Sequence, residues 1–217
     1  GSAQCTSSRK RATGASRVIV GPGARLLATV EPASPAYWLR VRDAESLTLT
    51  GTAPLCLVQR QGQWERRQCV VTEYPNVKAL AFAPDGGAVA IVCEGCAPGP
   101  GNTIHVLDVA TGALRFAATA PQYVYTVAWG RQGIVIGALY GVQVRNGSSG
   151  ALTLERKSDQ AVSSIAPDGS AYLTGATRQL VGLEGTVRHR LSCSGMTPAL
   201  ALDGGAARGG ALGVAGG

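Results

Sequence analysis

The chain has 217 residues and a formal charge of +7, with 45% hydrophobic and 15% charged residues. That composition is too apolar for a disordered chain, and no run of about 18 apolar residues is present to span a membrane as a helix. The 30 glycines and 11 prolines argue against a helical protein and suit short strands joined by tight turns, because glycine supplies positive φ and proline pre-sets the first turn position.

Residues 1–15 read as a flexible basic tail around Arg9, Lys10 and Arg11. Arg17 to Val20 then leads through Gly21-Pro22-Gly23 into a second apolar run, Ala24 to Val30. The next segment, Leu39-Arg40-Val41-Arg42-Asp43 with Ser46 three residues on, reads as a half-buried strand running into a tight turn. Asp or Asn at such a position accepts backbone N–H bonds two or three residues ahead and closes the turn without a helix.

Residues 54–72 form an insertion that reads as a hairpin. With Gly62-Gln63 as a two-residue loop of the type that favours glycine first, Cys56 and Cys69 fall directly opposite one another. Their Cα atoms would lie about 4.5 Å apart, at the short end of the disulfide range. A cross-strand disulfide in an oxidising compartment and two buried thiols are both open. The hairpin tip, with Trp64, Arg66 and Arg67, is the favoured partner contact, since insertions in repeats collect on one face.

Val77 to Ala83 runs into Pro84-Asp85-Gly86-Gly87 and then Ala88 to Cys93, a strand, turn and strand in the type I or II sense. Cys93-Glu94-Gly95-Cys96 is a C-x-x-C without further zinc ligands at suitable spacing and without the helix of a redox motif. A structural role or a local disulfide suits it better. Ile104-His105-Val106-Leu107-Asp108 with Thr111-Gly112, and Val142-Gln143-Val144-Arg145-Asn146 with Gly150, repeat the strand-and-turn pattern of residues 39–46. Between them Tyr123 to Trp129 reaches Gly130 to Gly133. Alternation places Tyr123, Tyr125 and Trp129 on one face, for packing between repeats or as partner anchors. Ala161 to Ala166, Pro167-Asp168-Gly169 and Ser170 to Thr174 repeat the first half again, and Leu200 to Leu202 reaches Asp203-Gly204-Gly205.

One unit is therefore strand, Pro-Asp-Gly turn, strand, loop, strand, Asp-x-x-Thr-Gly turn, strand, with a period of roughly 35 to 46 residues, close to that of propeller blades. Residues 77–86 followed by 104–112 resemble a blade of the WD40 or YVTN-type propeller families. The Gly-His pair before the first strand is missing, and the Trp-Asp position reads Leu107-Asp108. The expected fold is all-β: a β-propeller of four-stranded antiparallel blades over 16–203, about four to five in this chain, with a Gly/Ala-rich tail or incomplete blade at 204–217. The last blade is completed by the N-terminal strand, or the chain is part of a larger propeller.

Catalysis finds little support. His105 and His189 fall in expected strands among apolar neighbours, without an orienting carboxylate and nucleophile, and no Gly-x-Ser-x-Gly elbow exists. Asp43, Asp85, Asp108, Asn146 and Asp168 read as turn formers. No catalytic residue, metal or cofactor is expected. The expected function is a non-enzymatic scaffold that binds a protein partner; a metal or small-molecule site in a central channel is the first alternative. Binding of RNA or an anionic surface through the basic N-terminus is the second.

Overall fold

A computed structural model describes residues 17–33, 36–54, 57–60, 63–66, 76–94, 102–190, 199–202 and 212–215. Blade one is an antiparallel meander of β1 (Arg17–Val20), β2 (Leu26–Ala33), β3 (Ala36–Asp43) and β4 (Leu49–Pro54). A separate two-stranded hairpin follows, β5 (Leu57–Arg60) with β6 (Gln63–Arg66). Blade two comprises β7 (Asn76–Phe82), β8 (Ala88–Glu94), β9 (Asn102–Asp108) and β10 (Leu114–Thr119). Blade three is β11 (Val124–Gly130), β12 (Gly133–Ala138), β13 (Gly141–Arg145) and β14 (Leu152–Lys157). Blade four is β15 (Val162–Ile165), β16 (Ala171–Thr174), β17 (Gln179–Gly182) and β18 (Val187–Arg190), and β19 (Ala199–Leu202) pairs with β20 (Leu212–Ala215).

The first strands of successive sheets contact one another, β1 with β7, β7 with β11, β11 with β15 and β15 with β19. This adjacency makes the fold a β-propeller, with the sheets as blades and their first strands innermost. β1 belongs to blade one, as the partner of β2, and so does not complete the last blade.

Apolar side chains fill the spaces between blades. Leu39 and Val41 of blade one meet Leu80, Ile91 and Leu107 of blade two. Ile104 and Val106 meet Val127, Ile134 and Ile136 of blade three, and Val135, Val142 and Val144 meet Tyr172 and Val181 of blade four. Each fully buried isoleucine contributes about 1.5–3 kcal/mol through burial.

This packing corrects the half-buried reading of the third strand of blade two. Every residue from Asn102 to Leu107 is buried, because middle strands are covered on both faces by neighbouring blades and lose the in–out alternation. Alternation survives on outer strands such as β14.

The hairpin register is a second correction. Arg60 pairs with Gln63 and Leu57 with Arg66, so Gly62 is the second intervening residue and not the first. The opposition of Cys56 and Cys69 rested on the other register and loses that support; both cysteines lie outside the described residues.

Candidate binding surfaces

Each blade has two ends, one with the turn between its first two strands and one with the turn between its second and third. In blade three the second end carries three exposed tyrosines. Tyr123, Tyr125 and Tyr140 are 58%, 52% and 64% accessible. Tyr123 adopts φ 54°, a left-handed conformation that costs a bulky residue roughly 1–2 kcal/mol. Its carbonyl accepts the Leu139 N–H at 3.1 Å, which ties the chain entering β11 to the turn carrying Tyr140. The Tyr140 carbonyl in turn accepts the Ser158 N–H at 3.1 Å. Beside Tyr140 lies a cleft of about 540 Å³ walled by Gln122, Val142, Glu155, Lys157 and Asp159.

The shared face expected for Tyr123, Tyr125 and Trp129 is not present. Val124 pairs with Ala138 but Thr126 pairs with Gly137, so Tyr125 is an extra, bulged residue that reverses the facing of everything before it. Val124, Val127 and the half-buried Trp129 pack toward blade two, while Tyr123 and Tyr125 stand in solvent. Matching bulges occur at Lys78 in β7 and Ser163 in β15. They follow from pairing between strands, which one strand's alternation does not encode.

At the opposite end, the innermost strands of all four blades surround a cavity of about 650 Å³ at the mouth of the channel. Phe82, Leu80, Val127, Ile165 and Trp129 supply its apolar walls, and Arg131 and Asp168 reach its rim. A second cavity of about 560 Å³ runs outward between blades two and three.

The turn residues are engaged locally. Asp43 Oδ1 accepts the N–H groups of Glu45 and Ser46 at 3.1 and 2.8 Å and the Ser46 hydroxyl at 2.8 Å; these bonds, those from Ser46 foremost, lower its pKa. Asp108 Oδ1 accepts the Thr111 N–H and hydroxyl at 2.9 Å each. Asn146 Oδ1 accepts from Ser148 and Ser149 N–H. Asp85 and Asp168 accept the N–H groups of Gly87 and Ser170 at 2.8 and 2.9 Å. Gly112 and Gly150, at φ 64° and 74°, complete two of these turns.

Cys93 is buried at the end of β8 with its sulfur 3.8 Å from His105 Nδ1. Cys93 is disulfide-bonded; Cys96 lies outside the described residues. His105 is 1% accessible, and burial lowers its pKa to about 4, which keeps the ring neutral. His189 does not sit among apolar neighbours: it is exposed on β18 between Arg188 and Arg190. Trp64 and Arg66 lie on β6; Arg67 lies outside the described residues. Among the described residues, no three His, Cys, Asp or Glu side chains are grouped to hold a metal. No described helix is long and apolar enough to cross a membrane.

Sequence reading missed Glu31. It is buried on β2 and pairs with Arg40 at 3.3 Å and Arg42 at 3.4 Å, while the Thr29 hydroxyl donates to Oε1 at 2.7 Å. This network lies on the flank of blade one away from blade two, opposite Ala28, Val30, Leu39 and Val41. Thr29 facing Arg40 across the β2–β3 ladder was the signal available. Tyr140 and Arg131 were also missed, since neither belongs to a repeated position.

No family model matches the chain, and no curated protein matches it. Solved structures do. Hydrazine synthase of Kuenenia stuttgartiensis superposes with a TM-score of 0.54 at 14% identity, covering 87% of this chain and 52% of that one. The β-propeller domain of Cps50 (Swd1) from Myceliophteria thermophila superposes with a TM-score of 0.55 at 10% identity, covering 85% of this chain and 56% of that one. At such identities the likeness concerns the fold alone. The chain spans little more than half the length of either structure.

Proposed function

We propose that the chain is a non-enzymatic propeller scaffold that binds a protein partner at the tyrosine-bearing end of blade three. The observation that carries this reading is the display of Tyr123, Tyr125 and Tyr140, all more than half exposed, on backbone fixed by the Tyr123–Leu139 and Tyr140–Ser158 hydrogen bonds. Tyrosine offers a large contact area at small entropic cost and is enriched among residues that dominate binding energy. The 54–72 hairpin, with Trp64, Arg66 and Arg67, supplies a second contact. In this reading residues 16–203 are the propeller, 1–15 a basic tail and 204–217 a tail or incomplete blade.

A photo-crosslinking residue at Tyr140 tests it. The expected result in cell extract is a discrete cross-linked species that disappears when Tyr123→Ser and Tyr125→Ser are added. The same probe at Glu45, exposed on blade one and away from both cavities and clefts, should give none. No product at Tyr140, equal products at both positions, or a product insensitive to the tyrosine changes would overturn the proposal.

A further inference from the structure

The turns joining the first two strands of each blade are not equivalent. In blades one, two and four, four residues intervene and the first is proline: Pro22, Pro84 and Pro167. The closing hydrogen bonds, Gly21 to Leu26, Ala83 to Ala88 and Ala166 to Ala171, span the same number of residues in all three. In blade three Gly130 pairs with Gly133, so only Arg131 and Gln132 intervene. An arginine replaces the proline and the turn is two residues shorter. The rim is therefore notched at blade three.

The notch joins the two cavities at this end. The channel mouth, about 650 Å³, and the groove between blades two and three, about 560 Å³, share Pro84, Trp129, Gly130 and Arg131 as walls. The indole of Trp129 forms the saddle, held against Gly147, where a β-carbon would come within 2.7 Å of Nε1. The apolar channel thus continues over an aromatic plane into a groove with the polar walls Gln132, Asn146, Ser148 and Thr153. One pocket of several hundred Å³ suits a small molecule. Two such cavities in series suit an extended chain.

Hydrogen-bonding capacity selects the chemistry. Asp85 and Asp168 already accept turn N–H groups. Arg115 is committed to Gly87 O and Asp108 at 2.9 and 2.8 Å. Arg131 is exposed and, among the described residues, has neither an ion pair nor a hydrogen bond; the Trp129 N–H likewise has no acceptor. Asp85 and Asp168 keep their second carboxylate oxygens at the rim; the donors at the saddle itself are the Trp129 N–H and the Arg131 guanidinium, and guanidinium donors favour carboxylates.

We infer that this trough binds an extended peptide of a partner protein, seating an aliphatic or aromatic side chain in the channel mouth beside Trp129 and a neighbouring carboxylate on Arg131. The site lies at the opposite end of blade three from the tyrosines and does not depend on them.

The test is selection of a random dodecapeptide phage library on the full chain. Enriched clones should carry Asp or Glu within about three positions of Leu, Ile, Phe or Trp. Their affinity should fall roughly tenfold in Arg131→Glu, the loss of one charge-assisted pair, and stay unchanged in Tyr140→Ala. Trp129→Ala should abolish binding; because that variant removes packing as well, the exposed Arg131→Glu decides. No enrichment, clones without acidic residues, or clones that bind Arg131→Glu as tightly as the parent would overturn the inference.

Discussion

Arg115 and Asp108 fasten the two turns at one end of blade two to each other. The guanidinium donates to Asp108 Oδ2 at 2.8 Å and to the Gly87 carbonyl at 2.9 Å, while the other Asp108 oxygen closes its own turn through Thr111. One side chain thereby links the turn between β7 and β8 to the turn between β9 and β10.

The pH dependence of this link has a definite sign. The hydrogen bond from Arg115, followed by those from Thr111, lowers the Asp108 pKa to about 2. The folded state therefore favours the carboxylate more than the unfolded chain does, with its ordinary value of 3.8. The contribution is complete above that value and is lost as the pH falls through about 2. The melting temperature of Asp108→Asn should lie below the parent's at pH 6 and converge on it toward pH 2. Parallel melting curves over that range would count against the link.

His105 predicts a different window. Burial lowers its pKa to about 4 from 6.5, so between those values the unfolded chain binds a proton that the folded chain refuses. Stability then rises with pH from 4 to 6.5 and is lost on acidification through the same interval. A shift of that size corresponds to about 3 kcal/mol. Urea denaturation of His105→Leu should show a shallower pH slope in this window than the parent, and an unchanged slope would assign the effect elsewhere.

The blade architecture was legible in the sequence because its punctuation is local. Asp85 and Asp168 bond to N–H groups two residues ahead, and Asp43, Asp108 and Asn146 to groups two or three ahead, so a short window contains the chemistry. The bulges at Lys78, Tyr125 and Ser163 were not legible, because a register shift is a property of two strands. The Tyr123–Tyr125–Trp129 face failed for that reason. The hairpin register failed on a choice between two loop positions for Gly62. Glu31 was overlooked because its arginines sit across a hairpin, paired through register. The notch at Arg131 emerges only when four turns are compared in space.

Gly130 is a position where blades three and four admit no side chain. A β-carbon there would fall 1.7 Å from the Asp168 carbonyl oxygen, backbone that cannot rotate aside. Gly130→Ala must displace the blade-four turn, and overpacking of this kind costs about 1–3 kcal/mol or more. The expected outcome is a lower denaturation midpoint with an unchanged m-value. Gln132→Ala, two residues away in the same turn and exposed, should change stability by less than about 0.5 kcal/mol. Equal stability of the two variants would mean that the blades do not approach this closely.

The Glu31 network makes the last prediction. Its carboxylate is buried, while Arg40 and Arg42 keep 35% and 25% of their side chains in solvent. Removing the acceptor leaves the buried Thr29 hydroxyl with only its long 3.5 Å bond to the Arg40 carbonyl, whereas the arginines can turn outward. Glu31→Ala should therefore cost about 1–3 kcal/mol, set by the poorly satisfied hydroxyl and not by the ion pairs. Glu31→Gln keeps an acceptor for Thr29 and gives up the charge, so it should cost less. In Thr29→Val the hydroxyl is already gone, and adding Glu31→Ala to it should be milder than Glu31→Ala alone. If the two changes proved additive in chemical denaturation, the hydroxyl would not be the cause, and the ion pairs would have to carry the energy despite their partial exposure.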